Sequence, residues 1–431
     1  NNVFLPTYSW GSFMACTALK DSTLILGTGE CIEQGTIILR DDKIESVGQS
    51  LEVSVPEDAQ VFDCSGKYIL PGLIDAHIHL DMHGMSDTYH ESLVEDKLRT
   101  IRAAIQMSNT VRCGITTVRN AGSVNYIDVA VKKAVNLGYL TGPRILASGK
   151  IICMHSAGNE YFEGLYREAD GTDENRRAAR EQLKAGADLL KVMATGAIMN
   201  PGGVPGAPHL DIEEIRAVVQ EGEKSEKYTA AHAHGPQGIK NAIKAGVRTI
   251  EHGTLADEDA LKMMADQGIF LTSTLSSNFW MIHSTHSNGI PQFMFDKAKN
   301  IEIIRKQNLK RAIDRGVRIV MGTDAGTPYN YHGKNAFELV QYVQDDLMTE
   351  MEAIRSATQI AAEALGLKDV LGTLEEGKYA DLIVLETNPL QDINCLLQPD
   401  NFAYIFKEGK RIEGRVNISQ WNPEPPLGMD Y

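Results

Sequence analysis

Short apolar segments alternate with amphipathic segments from residue 70 to about residue 370. Each apolar segment predicts a strand, and the segment after it has apolar residues at helical spacing, often followed by a glycine that ends the helix. Eight such strand and helix pairs in about 300 residues predict an α/β fold, a (β/α)8 TIM-like barrel. The predicted strands are residues 73–80, 114–120, 144–149, 187–195, 228–235, 247–253, 269–275 and 317–324.

The two chain ends have a different pattern. Residues 22–61 consist of short apolar runs broken by turns, and the pair Asp41-Asp42 predicts the turn of a β-hairpin. Short strands return after residue 372, but they are too few to form a stable sheet alone. We therefore predict a small β-sandwich domain built from both chain ends, with the barrel inserted into it. The predicted boundaries are 1–69 and 372–431 for the sandwich and 70–371 for the barrel.

Side chains that can bind a metal gather at the ends of the predicted barrel strands, where TIM barrels carry their active sites. His77 and His79, in LPGLIDAHIHL, are two residues apart and so face the same side of the first strand. An H-x-H pair alone is a weak signal, and it gains weight from the other members of the set. These are Lys191 in the fourth strand, His232 and His234 in the fifth, His252 in the sixth and Asp324 in the eighth.

The residue types in this set predict a pair of divalent metal ions bridged by a carboxylate. Imidazole and carboxylate ligands suit Zn²⁺, Mn²⁺ or Co²⁺, and the spacing does not choose among them. Lys191 lies among apolar residues, and burial favours a neutral amine, which can take up carbon dioxide and form a bridging carbamate. We expect Asp324 to bind one metal and to act as general base when a metal-bridging hydroxide attacks the scissile carbonyl.

Composition limits the classes of binding partner and the cellular compartment that we expect. The formal net charge is −15 and the pI is about 5.3, so we expect neither nucleic acid nor a membrane as a partner. The six cysteines form no C-x-x-C pair, which predicts mostly buried thiols and argues against a thiolate zinc site or a disulfide scaffold. We expect a cytoplasmic protein, with a secreted or periplasmic one as the alternative because the chain begins at Asn1.

An ordered set of motifs runs through most of the chain. It comprises GTGE, LPGLIDAHIHL, GITTVRNAG, LKAGADLLKVMATGAIM, AAHAHGPQGI, IEHGT, MGTDAGTP and GTLEEGKYADLIVLE. With these motifs the chain resembles, from about residue 24 to 415, the binuclear, carboxylated-lysine subtype of the amidohydrolase superfamily. It looks closest to the imidazolonepropionase-like branch, which contains Xaa-Pro and Xaa-Arg dipeptidases and ochratoxin-type amidases.

This resemblance implies a role for each residue of the set. It implies two divalent metal ions, expected as Zn²⁺, an N6-carboxylated Lys191, Asp324 as the catalytic base, and assembly into a homo-oligomer. The family's A-H-A-x-G motif places the metal ligand at its histidine, so His232 is the implied ligand. His234 occupies the x position, where it contacts the substrate, supports the site or is a structural imidazole. The implied metal ligands are His77, His79, Lys191, His232, His252 and Asp324.

One motif departs from the family pattern. Related dipeptidases carry T-G-G-H-G after the third strand, with a substrate-contacting histidine, whereas this chain has CMHSAGN at 153–159. Gly158 takes the histidine position, and His155 lies three residues earlier. We predict that His155 reaches the site from its own loop, with loss of the role as the alternative. Arg144, like His155 and His234, is a candidate to bind a substrate carboxylate.

These features predict a metal-dependent hydrolase that cleaves the amide bond of a small-molecule substrate, a dipeptide such as Xaa-Pro or an N-acyl amino acid. A cyclic-amide hydrolase or a deaminase of the same superfamily is the alternative, although the bridging lysine argues against the mononuclear deaminases. A non-catalytic assembly module is a third interpretation. The complete set of six ligands argues against it.

Overall fold

The computed structural model of this protein describes residues 16–284, 289–414 and 416. The outer parts of the predicted sandwich segments, residues 1–15 and most of 415–431, lie outside the described residues. The described chain forms one mixed sheet from both ends and a barrel of parallel strands between them. The predicted α/β fold, a (β/α)8 TIM-like barrel with a β-sandwich, is confirmed, while the boundaries at residues 69 and 372 stay predictions.

The described strands follow one another in this order along the chain. They are β1 (Cys16–Ile25), β2 (Cys31–Arg40), β3 (Lys43–Gln49), β4 (Gln60–Asp63), β5 (Tyr68–Pro71), β6 (Leu73–Ile78), β7 (Ile115–Asn120), β8 (Arg144–Leu146), β9 (Ile151–Cys153), β10 (Tyr166–Glu168), β11 (Leu190–Met193), β12 (Thr229–Ala233), β13 (Thr249–His252), β14 (Phe270–Thr272), β15 (Arg318–Val320), β16 (Leu382–Leu385), β17 (Phe402–Lys407) and β18 (Lys410–Arg411).

Strands from both chain ends pair in the mixed sheet. Its order is β18-β17-β16-β5-β1-β2-β3, and β4 pairs with β1 beside this path. The antiparallel pairing of β16 with β5 joins the C-terminal strands to the N-terminal ones. The predicted hairpin is present, because Arg40 of β2 pairs with Lys43 of β3 across a two-residue turn. Asp41 in that turn has φ 53°, a left-handed conformation that Asp tolerates.

The barrel strands are parallel and cover all eight predicted positions: β6, β7, β8, β11, β12, β13, β14 and β15. The third strand is divided, which the sequence pattern did not predict. β8 pairs with β7, whereas its continuation β9 pairs with β11 and carries the short strand β10 on its other side. Gly149 lies between the two pieces with φ 69°, a conformation that glycine adopts easily.

Hydrogen bonds between the first and the last barrel strand close the barrel. The amide of Ala76 donates to the carbonyl oxygen of Met321 at 3.0 Å, and the amide of Asp324 donates to that of His77 at 2.7 Å. The chain segment after β15 therefore lies directly beside the C-terminal end of β6. This closure brings an aspartate from residue 324 against the first strand of the barrel.

Helices surround the barrel strands. Several end at a glycine in the left-handed conformation, as predicted: Gly186 has φ 107° and Gly246 has φ 100°. The helices are α1 (Thr88–Ser92), α2 (Asp96–Arg112), α3 (Ile127–Asn136), α4 (Gly171–Ala185), α5 (Ile212–Glu223), α6 (Pro236–Ala245), α7 (Glu258–Gln267), α8 (Leu275–His283), α9 (Gln292–Asp314), α10 (Phe337–Gln344), α11 (Glu350–Ser356) and α12 (Gln359–Ala364).

Two buried apolar clusters account for most of the core. The larger one joins the barrel strands to the helices around them and includes Ile78, Val192 and Ile250. The other lies inside the sandwich and includes Leu19 and Leu382, so it depends on strands from both chain ends. All six cysteines are free thiols, and all except Cys31 are buried. Among the described helices, none has the length and apolar character needed to cross a bilayer.

An ion pair joins the barrel to the sandwich and gives a first prediction. Arg144 at the start of β8 contacts Asp381 at 2.5 Å and Glu408 at 2.6 Å, and the Asp381 side chain is only 3% exposed. Arg144→Met leaves a buried carboxylate without its cation, so we expect the free energy of unfolding in urea to fall by about 2–3 kcal/mol. Lys262→Met removes an exposed pair with Asp266 and should change it by about 0.5 kcal/mol or less. Equal effects of the two substitutions would contradict this assignment.

Candidate active site

One cavity lies at the C-terminal ends of the barrel strands. The strands are parallel, so residues that are distant in sequence meet at this end. Each predicted strand-end residue lines the cavity and is buried, with at most 8% of its surface exposed. They are His77, His79, Lys191, His232, His234, His252 and Asp324.

The potential ligand atoms of these residues form two groups that share His252. Ring nitrogens of His232, His234 and His252 lie within 4.8 Å of one another. Ligand atoms of His77, His252 and Asp324 also lie within 4.8 Å of one another. Metal ions in two-metal sites lie about 3.5–4 Å apart, so two groups of this size fit a pair of ions. By these distances, both His232 and His234 lie close enough to His252 to share a metal ion with it.

Hydrogen bonds fix the rings on the first strand. Nδ1 of His77 lies 2.7 Å from a carboxylate oxygen of Glu251, and Nδ1 of His79 lies 3.0 Å from the carbonyl oxygen of Gly122. Both partners are acceptors, so Nδ1 carries the proton in each ring and Nε2 is the nitrogen left for a metal. Each Nε2 lies 3.4 Å from Oδ1 of Asp324.

The rings on β12 and β13 are held by hydroxyl groups. Nδ1 of His252 lies 2.7 Å from Oγ1 of Thr274, and Nδ1 of His234 lies 2.9 Å from Oγ1 of Thr254. Nε2 of His232 is buried and has no hydrogen-bond partner among the described residues. A buried polar atom without a partner is unfavourable, and a metal ion would satisfy it.

Burial keeps these three imidazoles neutral. It lowers the pKa of His232 and of His252 well below the usual value, because a charged ring would lose its solvation. It lowers the pKa of His234 to about 3. Neutral imidazole is the form that binds a metal.

Lys191 and Asp324 respond to burial in opposite directions. Burial lowers the pKa of Lys191 to about 8, so a fraction of the amine is neutral at physiological pH. Burial alone would raise the pKa of Asp324, but its contacts with the rings of His77 and His79 hold that pKa well below the usual range. The aspartate is therefore ionised.

The backbone is strained at two positions of the site. His252 has φ 72° and Asp324 has φ 60°, which is a left-handed conformation that residues other than glycine rarely adopt. Residues held in such conformations cluster at functional sites, where the surrounding structure compensates for the strain. Here it turns both side chains from the strand ends into the cavity.

Two buried charges beneath the cavity were missed by the sequence analysis. Glu251 contacts His77 on one side and Arg119 on the other, where Nη2 donates to both carboxylate oxygens at 2.7 Å. Both side chains are fully buried. The signal was present, because each is a charged residue inside a predicted barrel strand.

The cavity wall also contains residues that strand periodicity does not reveal. Part of the wall is apolar and includes Met82, Phe162 and Met281. Arg305 of α9 lines the cavity as well. Because α9 lies outside the barrel, its contribution depends on how the helix packs, and a helical pattern alone gives no such signal.

The structure does not bring His155 or Arg144 to the cavity. The side chain of His155 is 62% exposed, and its Nδ1 lies 2.7 Å from Asp170 on the surface. Arg144 lies at the start of β8, the opposite end of the strand from the cavity, and pairs with carboxylates of the sandwich. Neither residue is placed to contact a substrate bound among the histidines.

Comparisons with known proteins place the chain in a family. The pattern of the amidohydrolase family matches residues 68–412. Ochratoxinase of Aspergillus niger is 30% identical over 439 residues, an alignment that covers 95% of this chain and 88% of the ochratoxinase.

Solved structures of related proteins share the whole architecture. A Xaa-Pro dipeptidase with methionine bound in its active site has a TM-score of 0.86 and 32% identity, and the match covers 93% of this chain and 100% of that one. A prolidase complexed with N-methylphosphonate-L-proline has a TM-score of 0.83 and 29% identity, with 92% and 99% covered. This chain therefore belongs to the amidohydrolase family and is a hydrolase that acts on amide bonds.

Proposed function

We propose that this chain is a two-metal hydrolase that cleaves the amide bond of dipeptides or N-acyl amino acids. The observation that carries the proposal is the convergence of histidines, a buried lysine and an ionised aspartate around one cavity. The related prolidase supports the substrate class, since its structure contains bound N-methylphosphonate-L-proline, a proline derivative. The apolar part of the cavity wall supports a substrate with an apolar side chain.

The residues present fit two divalent ions, which we propose to be Zn²⁺. The fit rests on the close ligand atoms of His77, His252 and Asp324, on the nearness of His232 to His252, and on the unpartnered Nε2 of His232. Such ions would lower the pKa of a water molecule and polarise the carbonyl of the scissile amide. The residues proposed to hold them are His77, His79, Lys191, His232, His252 and Asp324.

Lys191 is proposed to act as a carbamate. Its neutral amine would add to carbon dioxide with loss of one proton, which replaces the buried amine by a carbamate anion. The side chain is 1% exposed, and its amine donates only to the carbonyl oxygen of Ala121, at 3.3 Å, among the described residues. An anion at this position would offset the positive charge of two metal ions.

Asp324 is proposed to be the general base. Its carboxylate is ionised and lies at the cavity, so it can take a proton from the attacking water. The same group can then pass that proton to the leaving amine, whose departure breaks the amide bond. The amide hydrogen bond to the carbonyl of His77 holds Asp324 in position for both steps.

A substrate screen tests the proposed function. Chain loaded with Zn²⁺ is incubated with dipeptides varied at the C-terminal residue and with N-acyl amino acids, and the released amino acids are quantified by mass spectrometry. We expect turnover of a subset with an apolar residue, because the cavity wall is partly apolar. Asp324→Asn serves as the control and should lose at least about 100-fold in kcat.

Cyclic amides and aminopurines form the second part of the same screen. Turnover of these compounds, with none of any dipeptide or N-acyl amino acid, would contradict the proposed substrate class. It would favour the cyclic-amide hydrolase or deaminase alternative.

Lys191→Met tests the carbamate bridge. Methionine keeps an apolar stem but cannot form a carbamate, so we expect metal content to fall from two ions per chain to one or fewer and kcat/KM to fall by at least about 100-fold. Metal content is measured by plasma mass spectrometry after gel filtration. Carbon NMR after labelling with ¹³C-bicarbonate should show a carbamate signal in the unmodified sequence and none in the variant.

Lys240→Met is the matched control, because Lys240 pairs with Asp257 away from the cavity. It should keep both metals and the carbamate signal. Two metals and full hydrolysis in Lys191→Met would refute the bridge.

The roles of His232 in β12 and His234 directly after it can be separated by substitution. We expect His232→Ala to lose one metal per chain, because the unpartnered Nε2 is a proposed ligand atom. His234→Ala should keep both metals and raise KM by about 10–100-fold, because this ring is proposed to contact the substrate. Metal content and steady-state kinetics measure the two effects. Loss of metal in His234→Ala with retention in His232→Ala would exchange the roles.

A further inference from the structure

The guanidinium group of Arg305 is buried at the cavity wall beside the proposed metal ligands. Arg305 is 5% exposed and lines the same cavity as His234 and Asp324. Among the described residues, no carboxylate oxygen lies within 4.0 Å of its side-chain nitrogens. The guanidinium group is therefore not in contact with any described carboxylate, although Glu338, Glu302 and Asp324 lie near enough to favour its charged form.

Its hydrogen bonds leave most of the group free. Nη2 donates to the carbonyl oxygen of Thr274 and, at 3.3 Å, to that of Ser273. It also lies 3.3 Å from the hydroxyl of Thr274. Nε is buried without a hydrogen-bond partner among the described residues. One edge of the guanidinium group thus anchors the side chain, while donors remain for a ligand.

The nearest acidic residues are already engaged elsewhere. Glu338 accepts hydrogen bonds from the hydroxyl of Ser273 at 2.8 Å and from the amides of Leu275 and Ser276 at 2.7 Å. Both of its carboxylate oxygens are therefore held at the start of α8. Glu302 on α9 accepts from the side-chain amide of Asn278. Both carboxylates act on Arg305 through space, and neither forms an ion pair with it.

A buried cation without a counter-ion in contact is unfavourable, and two divalent ions nearby would make it more so. An anionic ligand would give the guanidinium group a counter-ion in contact, and its planar shape suits a carboxylate. We propose that Arg305 binds the free carboxylate of the substrate and thereby selects dipeptides and N-acyl amino acids over their neutral counterparts. This inference rests on the proposed function and adds the residue that determines the substrate's charge.

The apolar wall suggests which side chain accompanies that carboxylate. Met82, Met193, Met199 and Met281 line the cavity together with Phe162. Methionine side chains adapt to ligands of different shape and make favourable contacts with aromatic rings. The ligand class is therefore an apolar, preferably aromatic, carboxylic acid.

Binding of two small probes tests the inference without turnover. The probes are 3-phenylpropanoate and 3-phenylpropan-1-ol, which have the same apolar part but differ in charge, and neither contains an amide bond. Calorimetric titration into chain loaded with Zn²⁺ should show a Kd about 10–100-fold lower for the carboxylate than for the alcohol. Arg305→Met should remove most of this preference and leave alcohol binding unchanged.

Two further variants separate a binding role from a structural one. Arg305→Lys keeps the charge but loses the planar fork, so it should retain part of the preference. Arg311→Met is the matched control, since Arg311 lies on the same helix and pairs with Glu258 at the surface. It should bind both probes as the unmodified sequence does. Circular dichroism and metal content confirm that each variant is folded and loaded.

The preference for carboxylate could instead come from direct binding to the metal ions. A preference that persists in Arg305→Met would show this and overturn the inference, as would equal weakening of both probes, which indicates a structural role. If Arg305→Met does not fold, an unchanged preference in Arg305→Lys would also overturn it. Failure of the dipeptide screen refutes the proposed function independently, because probe binding requires no catalysis.

Discussion

The carboxylate of Glu251 lies inside the barrel between the guanidinium group of Arg119 and the imidazole of His77. These side chains are at most 1% exposed, so their charges interact without water between them. Arg119 also donates to the carbonyl of Ala76 at 2.5 Å and to the hydroxyl of Thr249 at 2.9 Å. The network therefore ties β6, β7 and β13 together. Removing one partner of such a buried pair typically costs about 3–5 kcal/mol.

This network also sets the chemistry of the site above it. Glu251 accepts a hydrogen bond from Nδ1, so the ring of His77 presents Nε2 to the cavity. The hydroxyl groups of Thr274 and Thr254 hold the rings of His252 and His234 in a similar way. Burial lowers the pKa of these last two rings, which keeps them neutral. The same dry environment that stabilises the barrel thus prepares its histidines to bind metal.

Sequence periodicity predicted most of the scaffold but not its irregular parts. All eight barrel strands were predicted because apolar runs alternate with helical segments. The division of the third strand was not, since a bend at Gly149 changes the pairing partner without altering the apolar pattern. His155 lies in the loop that follows β9, so its position depends on this bend and could not be predicted from the sequence. It lies on the surface, paired with Asp170.

The sequence by itself determined the barrel and the strand-end residues of the site. Parallel strands bring their C-terminal ends to one edge, so the position of His77, Lys191 or Asp324 within its own strand was enough to place it. The tertiary structure alone decided the position of Arg305. A residue on an outer helix reaches the cavity only through the packing of that helix against the strand ends, and helical periodicity does not encode which strand end it meets.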